Sequence, residues 1–525
     1  MSLRFFDTRG LDDCRPTYSE VIIAGLADGG GLYLPEALPH LTLADIDALA
    51  SLPSYAARAT RVYDAFDIDF SHDEIAAIMR EAYGSQFDDP AITPIRPLGD
   101  GRTHLLELFH GPTSAFKDLA LQCMPRFFSA AIDRQRATGQ MSRDMLILVA
   151  TSGDTGSAAL AGFADRPHTN IIVFYPADGI SDVQRRQMTA RPGANLGVFA
   201  VTGNFDDCQR AVKRAFENRG FATWLDLDEG LQFSSANSIN WGRLMPQIVY
   251  YLSAVADLRR GGVLRDGGVV DICVPTGNFG NILGAWLAKQ MGAPIGRLLC
   301  ASNENNILAD FLATGVYDTR GRAFRVTTSP SMDILVSSNL ERLLYYMAGS
   351  ERVQTWMSEL AEDGVFSVGD EALKRLRGDF IGGWVSNEDT LTTLRETYEQ
   401  YSYLADPHTA VALKMARDYL RSGGDEGGAD NPMLVVSAAH WAKFAPNVTR
   451  ALTGTPPGED VDEPYGSMGG FDLTRAIHET LAPKASDVPA NLCATEYAKE
   501  RFRTVIESDE ASVEAAVRQW LDSQN

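Results

Sequence analysis

The chain has 525 residues, of which 45% are hydrophobic and 22% are charged, so it is long enough for roughly two to four globular domains. Its 69 acidic residues outnumber the 47 basic ones, which gives a formal net charge of −22 at pH 7. This charge argues against a nucleic-acid or anionic-membrane surface, although a local basic pocket for a small anion is compatible with it.

Other broad classes of protein are disfavoured as well. No apolar run approaches the roughly 18 residues that a membrane helix needs, and the beginning of the sequence lacks the apolar segment of a signal peptide. The six cysteines lie far apart, with no Cys-x-x-Cys pair and no histidine at metal-ligand spacing, so neither a disulfide framework nor a metal site is predicted. We expect a soluble protein of the reducing cytoplasm.

The first 95 residues are predicted to form a region of turns and helices. A glycine-rich turn spans residues 25–35, and apolar residues recur at helical spacing over residues 43–52 and 72–83. Polar connections rich in Gly and Pro are predicted much later, at residues 422–432 and 456–470.

Strands alternate with helices in the rest of the chain. Short apolar runs typical of buried strands lie at residues 103–109, 145–150, 170–175, 196–201, 269–274, 297–301 and 433–436. Helical patterns lie between them, at residues 116–138, 157–164, 182–189, 206–219, 238–258, 308–313 and 404–421. This rhythm predicts the α/β class, with mostly parallel, twisted sheets and helices on both faces. Pro125 is expected to kink or divide the first of these helices.

Residues 110–118, with the sequence HGPTSAFKD, place Lys117 at the start of a predicted helix. A lysine has little structural reason to lie there, because the helix dipole disfavours a cation at the N-terminus. One interpretation is a reactive amine, and the other is an ordinary exposed lysine in a first helical turn. Only groups from elsewhere in the chain can decide between the two.

The sequence GNFGN at residues 277–281 has the features of a phosphate-binding loop. Its glycines let the backbone approach an anion closely, and the helix that follows adds partial positive charge. A glycine-rich turn that serves packing alone is the alternative. The nucleoside-triphosphate P-loop pattern and the Rossmann glycine pattern are both missing from the chain's strand-to-helix junctions.

The sequence TSGDTG at residues 151–156 is dense in hydroxyls and glycines at a predicted helix start. It suits a carboxylate held by backbone N–H groups and hydroxyls, and it equally suits a helix cap. Ser152 does not match a nucleophile elbow, because Ala150 stands where that motif needs glycine.

The sequence NSINWGR at residues 237–243 combines small polar donors with an arginine. Such a set can bind a dianion, while an Asn cap followed by a surface arginine is the alternative. The three histidines near these motifs, His110, His408 and His440, are interpreted as structural hydrogen-bonding residues rather than as general bases.

Strand-to-helix junctions in open α/β sheets place their loops at the carboxyl ends of the strands, so residues 110–118, 151–156 and 277–281 could meet in one crevice. A lysine, a phosphate-binding loop and a carboxylate-binding loop are together what a pyridoxal phosphate enzyme requires. The same stretches resemble the signatures of threonine synthase in its longer microbial and fungal form. The likeness continues, in matching order, at residues 25–35, 331–333, 338–342, 406–409 and 439–444.

The resemblance implies a fold-type-II pyridoxal phosphate enzyme, similar to the tryptophan synthase β subunit, with an extra N-terminal region. It implies an N-terminal region over residues 1–95 and a large cofactor-binding domain over 96–145 and 240–525. Residues 146–239 would form a small mobile domain.

The resemblance also implies conversion of O-phospho-L-homoserine and water into L-threonine and phosphate. Lys117 would bind pyridoxal 5′-phosphate as a Schiff base and carry protons. The cofactor-binding residues would be Lys117, Asp154, Gly277, Asn278, Phe279, Gly280, Asn281 and Ser437. The substrate-binding residues would be Ser152, Gly153, Thr155, Asn237, Ser238 and Arg243, and no metal is implied.

One position departs from the family pattern. Ala438 stands where the family usually has a threonine whose hydroxyl meets the pyridine nitrogen of the cofactor. Ser437 is the first candidate to replace that hydroxyl, and Thr449 is the second.

Two alternative functions are compatible with the same motifs. A related phospho-lyase or dehydratase would use the same groups to give 2-oxobutyrate, and a catalytically inactive paralogue would act as a binding protein. The expected partner is the small-molecule substrate, with no nucleic acid and no membrane. A monomer or homodimer is expected.

Overall fold

A computed structural model describes residues 2–424 and 430–524 of the chain. In chain order, the strands β1 to β15 within these ranges are Phe5–Asp7, Tyr33–Pro35, Ile95–Pro97, Thr103–Glu107, Asp144–Ala150, Thr169–Pro176, Leu196–Val201, Leu231–Ser234, Val270–Pro275, Ile295–Ser302, Val316–Asp318, Val365–Ser367, Phe380–Trp384, Met433–Ser437 and Val505–Ile506. The connection predicted at 422–432 includes residues 425–429, which lie outside the described residues.

The helices α1 to α21 alternate with these strands. In chain order they are Tyr18–Ala24, Leu43–Ala50, Tyr55–Ala65, His72–Ala82, Lys117–Ala137, Asp154–Phe163, Asp182–Thr189, Phe205–Glu217, Arg219–Leu227, Trp241–Arg260, Gly280–Gln290, Ile307–Thr314, Leu340–Ala348, Ser350–Asp363, Gly369–Asp379, Asn387–Tyr401, Pro407–Arg421, Ala445–Thr453, Gly470–Ala476, Ala490–Tyr497 and Glu510–Asp522. Helix α5 continues through Pro125 as one element, so the predicted division does not occur.

The larger sheet has six strands in the order β13-β10-β9-β14-β4-β3, all parallel except the antiparallel pair β3 and β4. Alternate residues of a strand face opposite sides, so Cys273 and Leu299 pack with α17 while Ile272 and Leu298 join the core formed with α10 and α11. Helices therefore cover both faces, and the predicted α/β class with mostly parallel sheets is confirmed.

The second sheet has five parallel strands in the order β15-β7-β6-β5-β8. Strand β15 pairs with the end of β7, and helix α21 packs beside it, where the Trp520 indole donates a hydrogen bond to the Leu196 carbonyl at 3.0 Å. These hydrogen bonds join the last segment of the chain, which the predicted large domain over 240–525 includes, to the sheet of residues 146–239.

The N-terminal region packs onto the rest of the molecule through a shared apolar core. Tyr18 on α1 is fully buried, and its ring meets the edge of Phe127 on α5 at 5.6 Å between centroids. Arg58 on α3 pairs with Asp257 on α10 at 2.6 Å. The N-terminal region therefore packs against α5 and α10, the helices that begin at Lys117 and Trp241.

Candidate active site

Lys117 is the first residue of α5 and is partly exposed. The preceding loop is held against the end of β14, because the Phe116 N–H donates to the Ala438 carbonyl at 2.8 Å and the His440 N–H donates to the Ser114 carbonyl at 3.0 Å. Ser114 adopts a left-handed φ of 58°, which costs a non-glycine residue about 1 kcal/mol or more. The Lys117 amine is therefore placed by a tightly constrained loop.

The surroundings of Lys117 favour its neutral amine. Burial lowers the pKa of Lys117 to about 8, and the cations Arg243 and Lys443 push it in the same direction while the Asp154 carboxylate opposes them. At pH 7 roughly a tenth of the molecules then carry an unprotonated amine. This property distinguishes Lys117 from an ordinary surface lysine.

Asp154 is the first residue of α6, in the loop that follows the end of β5 at Ala150, and its side chain is buried. Its carboxylate accepts hydrogen bonds from Gln184 at 2.9 Å and Ser331 at 2.9 Å, and it pairs with Lys443 at 2.8 Å. Burial alone would raise the pKa of Asp154, but Lys443 and then Lys117 hold it well below its usual range. Asp154 is therefore a fixed anion.

Ser152, Gly153 and Thr155 flank Asp154 in the loop at 151–156. Ser152 and Thr155 are partly exposed. Gly153 has a φ of 128°, and a Cβ atom there would lie 2.6 Å from the amide nitrogen of Gln184. Glycine is thus required where α7 meets the loop.

Residues 277–281 form the turn from β9 into α11. The Ser337 hydroxyl donates to the Gly277 carbonyl at 2.8 Å, and Asn339 donates to the Asn278 carbonyl. Phe279 caps the helix with a left-handed φ of 64°, and Gly280 begins it. The N–H groups of a first helical turn have no acceptor within the helix, so they are available to an anion.

Asn281 lies in the same first turn, and its side-chain oxygen accepts hydrogen bonds from the Tyr250 and Tyr251 hydroxyls at 2.5 and 2.6 Å. Its side-chain nitrogen is buried and has no partner within the described ranges. A buried donor without an acceptor is costly unless a ligand completes it.

Residues 237–243 lead into α10, which begins at Trp241 rather than at the predicted residue 238. Asn240 is the cap, because its side chain accepts from the Gly242 N–H. Asn237 and Ser238 lie in the turn before it and are partly exposed. The predicted alternative of an Asn cap is therefore correct for Asn240, but the second half of that alternative, a surface arginine, is wrong.

Arg243 is buried, with 4% of its surface exposed. One guanidinium nitrogen, Nη1, donates to the Ala236 carbonyl at 2.9 Å, and Nε has no partner in the part of the chain that the structure describes. A buried cation with an unused donor is suited to an anionic ligand.

The predicted loops meet in one place. Ser331 contacts Asp154 and lies against Gly277, where a Cβ atom would approach the Ser331 carbonyl to 3.2 Å. The Ser238 and Ser338 hydroxyls are 3.3 Å apart, and Ser338 also reaches the Asn278 side chain at 3.5 Å. The loops at 151–156, 237–243 and 277–281 are thereby linked around Lys117.

Ser437, the first candidate for a contact to a pyridine nitrogen, ends β14 and is buried. Its hydroxyl already lies 3.0 Å from the Tyr403 hydroxyl and 3.3 Å from that of Thr409. Thr449 on α18 is buried, and its hydroxyl has no partner among residues 2–424 and 430–524. The replacement of the family hydroxyl at Ala438 stays a prediction.

Two of the three histidines make structural hydrogen bonds. Burial lowers the pKa of His440 to about 3, and its ring lies 3.1 Å from the Ser486 hydroxyl. His408 accepts from the Ser331 N–H at 3.1 Å, so its other nitrogen donates to Asp406. His408 thereby supports the residue that contacts Asp154.

His110 behaves differently, because two carboxylates face it. Burial alone would lower its pKa, but Asp88 at 2.6 Å and Glu107 at 3.2 Å raise the pKa to about 9. His110 is therefore a cation at neutral pH, tied to the start of the loop that carries Lys117.

This shift predicts a pH-dependent stability. The folded pKa of His110 lies above the unfolded value of about 6.5, so its contribution is complete below pH 6.5 and is lost as the pH rises through about 9. Asp88 is 43% exposed, so solvent screening limits the contribution of protonated His110 to the free energy of unfolding to about 2 kcal/mol. Urea unfolding at pH 6 and pH 10 should show this decrease in wild type but not in His110→Gln. Equal decreases in both proteins would contradict the assignment.

Sequence reasoning missed three residues that organise the site: Lys443, Ser331 and Gln184. Lys443 and Ser331 lie in stretches that resemble the family, yet no role could be given to them. Lys443 lies in the short 3-10 turn Trp441–Phe444 and is completely buried, a state that lysine rarely adopts without a partner. Its partner Asp154 is remote in sequence, so no local pattern reveals the pair.

Comparison with known proteins decides the family. Residues 93–437 match the family model described as pyridoxal-phosphate dependent enzyme, and residues 4–83 match the model described as threonine synthase N terminus. Threonine synthase of Pseudomonas aeruginosa is 39% identical over 463 residues, which cover 87% of this chain and 92% of that protein. The chain belongs to the threonine synthase family.

A solved structure and a longer relative complete the comparison. The PLP-bound threonine synthase from Brucella melitensis has a TM-score of 0.82 and 36% identity over 99% of each chain, which confirms the predicted fold-type-II architecture. Human Threonine synthase-like 1 is 39% identical over 91% of this chain. The chain spans only 64% of that protein.

Membership of this threonine synthase family brings pyridoxal phosphate as cofactor, and the residues present fit it. The start of α11 offers free N–H groups and the unpartnered Asn281 nitrogen for a phosphate. At Gly277 a Cβ atom would come within 3.1 Å of the Met332 backbone, so a side chain there would crowd the loop against Met332. Lys117 supplies an amine with a lowered pKa.

No helix within residues 2–424 and 430–524 is long and apolar enough to cross a membrane. Within the same ranges, no group of three or more His, Cys, Asp or Glu side chains is placed to hold a metal ion.

Proposed function

We propose that the protein is a threonine synthase that converts O-phospho-L-homoserine and water into L-threonine and phosphate. The observation that carries this proposal is the meeting of a lysine of lowered pKa with two separate anion-binding elements. One element is the start of α11, and the other is the buried guanidinium of Arg243. A phosphorylated amino acid bound beside a phosphorylated cofactor needs both.

In this proposal the cofactor is held by Lys117 and by the loop at 277–281. When bound, pyridoxal phosphate supplies an electron sink that stabilises negative charge at the substrate's Cα. Lys117 accepts and returns protons at its Nζ, which a pKa of about 8 permits near neutral pH. Asp154 stays ionised and orients its loop.

The substrate groups are assigned to the remaining residues. Ser152, Gly153 and Thr155 would bind the carboxylate through hydroxyls and backbone N–H groups at the start of α6. Asn237, Ser238 and Arg243 would bind the phosphate, and Arg243 would stabilise it as it leaves. Arg243 has a donor to offer because its Nε lacks a partner among the described residues.

Residues 146–239 would move as a small domain that closes over the substrate. Asp154 of this segment contacts Ser331 and Lys443 on the other side of the site. Ser181 of this segment also donates to the Lys443 carbonyl at 2.7 Å. Closure would exclude bulk water until water is needed for addition at Cβ. A cytoplasmic location and a monomeric or homodimeric state are part of the same proposal.

The test is a product analysis. Purified protein with bound pyridoxal phosphate is incubated with O-phospho-L-homoserine, and L-threonine, inorganic phosphate and 2-oxobutyrate are quantified. We expect threonine and phosphate in equal amounts and little keto acid. Unphosphorylated L-homoserine serves as the control substrate and should give no threonine.

The other outcomes separate the alternatives. Phosphate released with 2-oxobutyrate as the main organic product would indicate a phospho-lyase. Absence of phosphate release, with cofactor bound, would indicate the inactive binding protein.

A further inference from the structure

Lys443 is a second lysine beside the site, and its ammonium is completely enclosed. It lies between the Asp154 carboxylate at 2.8 Å and the Thr113 carbonyl at 2.6 Å. Thr113 belongs to the loop that carries Lys117, and Asp154 belongs to the loop after β5. One buried cation therefore connects both loops.

Helix α7 and its N-cap residue, Ser181, complete this arrangement with three polar side chains spaced three residues apart. Ser181 donates to the Lys443 carbonyl at 2.7 Å, Gln184 donates to Asp154 at 2.9 Å, and Gln187 donates to the Thr113 carbonyl at 3.1 Å. Positions i, i+3 and i+6 lie on one side of a helix. One side of α7 thus contacts Lys443 and both of its partners, Asp154 and Thr113.

A buried carboxylate beside two lysines can pair with either one. The structure shows the Asp154–Lys443 pair, with Lys443 also bound to Thr113. If Lys443 were absent, the same carboxylate would still face Lys117 and would favour its protonated amine.

We propose that Lys443 is a positioning residue that binds the Asp154 carboxylate, docks the loop at 151–156 against the loop at 110–118, and so keeps Lys117 free of an ion pair. The role of Lys117 in this inference rests on the proposed function. Several charged groups surround the two lysines. Lys117 is faced by Asp154, Arg243 and Lys443, and Lys443 also faces Asp118 and His440.

The test measures the ionisation of the Lys117 amine and not turnover, so failure of this inference is distinguishable from failure of the proposed function. The full chain, freed of cofactor, is trace-labelled with acetic anhydride between pH 6 and pH 10.5. Acetylation of Lys117 is quantified by peptide mass spectrometry. Exposed Lys374 on α15 is the internal standard in every sample.

In wild type we expect half-maximal labelling of Lys117 near pH 8. Lys443→Met should raise this midpoint by about one pH unit or more, because it removes a cation and releases Asp154 toward Lys117. Lys443→Arg keeps the charge and should stay closer to wild type. The double variant Lys443→Met/Asp154→Asn should show a smaller rise than Lys443→Met.

Two results would overturn the inference. One is an unchanged midpoint in folded Lys443→Met, with folding checked by circular dichroism. The other is a shift in Lys443→Arg as large as that in Lys443→Met, which would indicate a general packing defect. If Lys443→Met does not fold, Lys443→Gln, which retains a donor for Thr113, must give the same rise.

Discussion

The Lys117→Ala variant is expected to turn over O-phospho-L-homoserine about 10³-fold more slowly than wild type, or not at all. The substitution removes the Lys117 amine, whose pKa is lowered, and positioned proton transfer and covalent attachment are each large contributions. Lys443 cannot replace it, because its ammonium is fixed by Asp154 and Thr113. Phosphate release and threonine formation are measured together.

The matched control is Lys374→Ala, which removes an exposed lysine from α15 and should leave turnover unchanged. A second measurement locates the attachment. Borohydride reduction of the cofactor-loaded wild type should add the cofactor mass to the peptide that contains residue 117, and Lys117→Ala should show no such addition. Turnover of Lys117→Ala near the wild-type rate would refute the assignment of Lys117.

Much of the fold was predictable because its strands are buried on both faces. The apolar runs predicted at 145–150 and 196–201 correspond to β5, Asp144–Ala150, and β7, Leu196–Val201, since continuous apolar runs leave few alternatives. Strand β15 could not be predicted in the same way. It has two residues, Val505 is 56% exposed, and only its pairing with β7 shows which sheet it joins.

The site was predictable where function depends on local backbone geometry. The loops at 151–156 and 277–281 place glycines and hydroxyls at helix starts, which is visible in sequence. The pair of Asp154 and Lys443 was not predictable, because burial of both charges arises only when two distant segments meet. Likewise, the contacts of the Ser437 hydroxyl with Tyr403 and Thr409 depend on the packing of α17 and the residues before it against β14.

An Arg243→Met variant is expected to lower kcat/KM for O-phospho-L-homoserine by about 10²- to 10³-fold, because it removes the buried guanidinium that is proposed to bind the substrate phosphate. The affinity of the enzyme for inorganic phosphate as an inhibitor should decrease with it. L-Threonine lacks the phosphate, so its binding should change little. Steady-state kinetics, with inorganic phosphate and L-threonine each added as an inhibitor, measure kcat/KM and the affinity of the protein for both inhibitors.

The control for this substitution is Arg260→Met, which changes an exposed arginine in the last turn of the same helix. It lies 17 residues further on, a distance of about 26 Å along the helix. Both variants lose a long cationic side chain from α10, so a shared decrease in kcat/KM would reflect damage to the helix. If inhibition by phosphate weakens only in Arg243→Met and threonine binding is retained, we conclude that the guanidinium of Arg243 contacts the phosphate. Loss of threonine and phosphate binding to the same extent would instead make Arg243 a support of the 237–243 turn, through its bond to the Ala236 carbonyl.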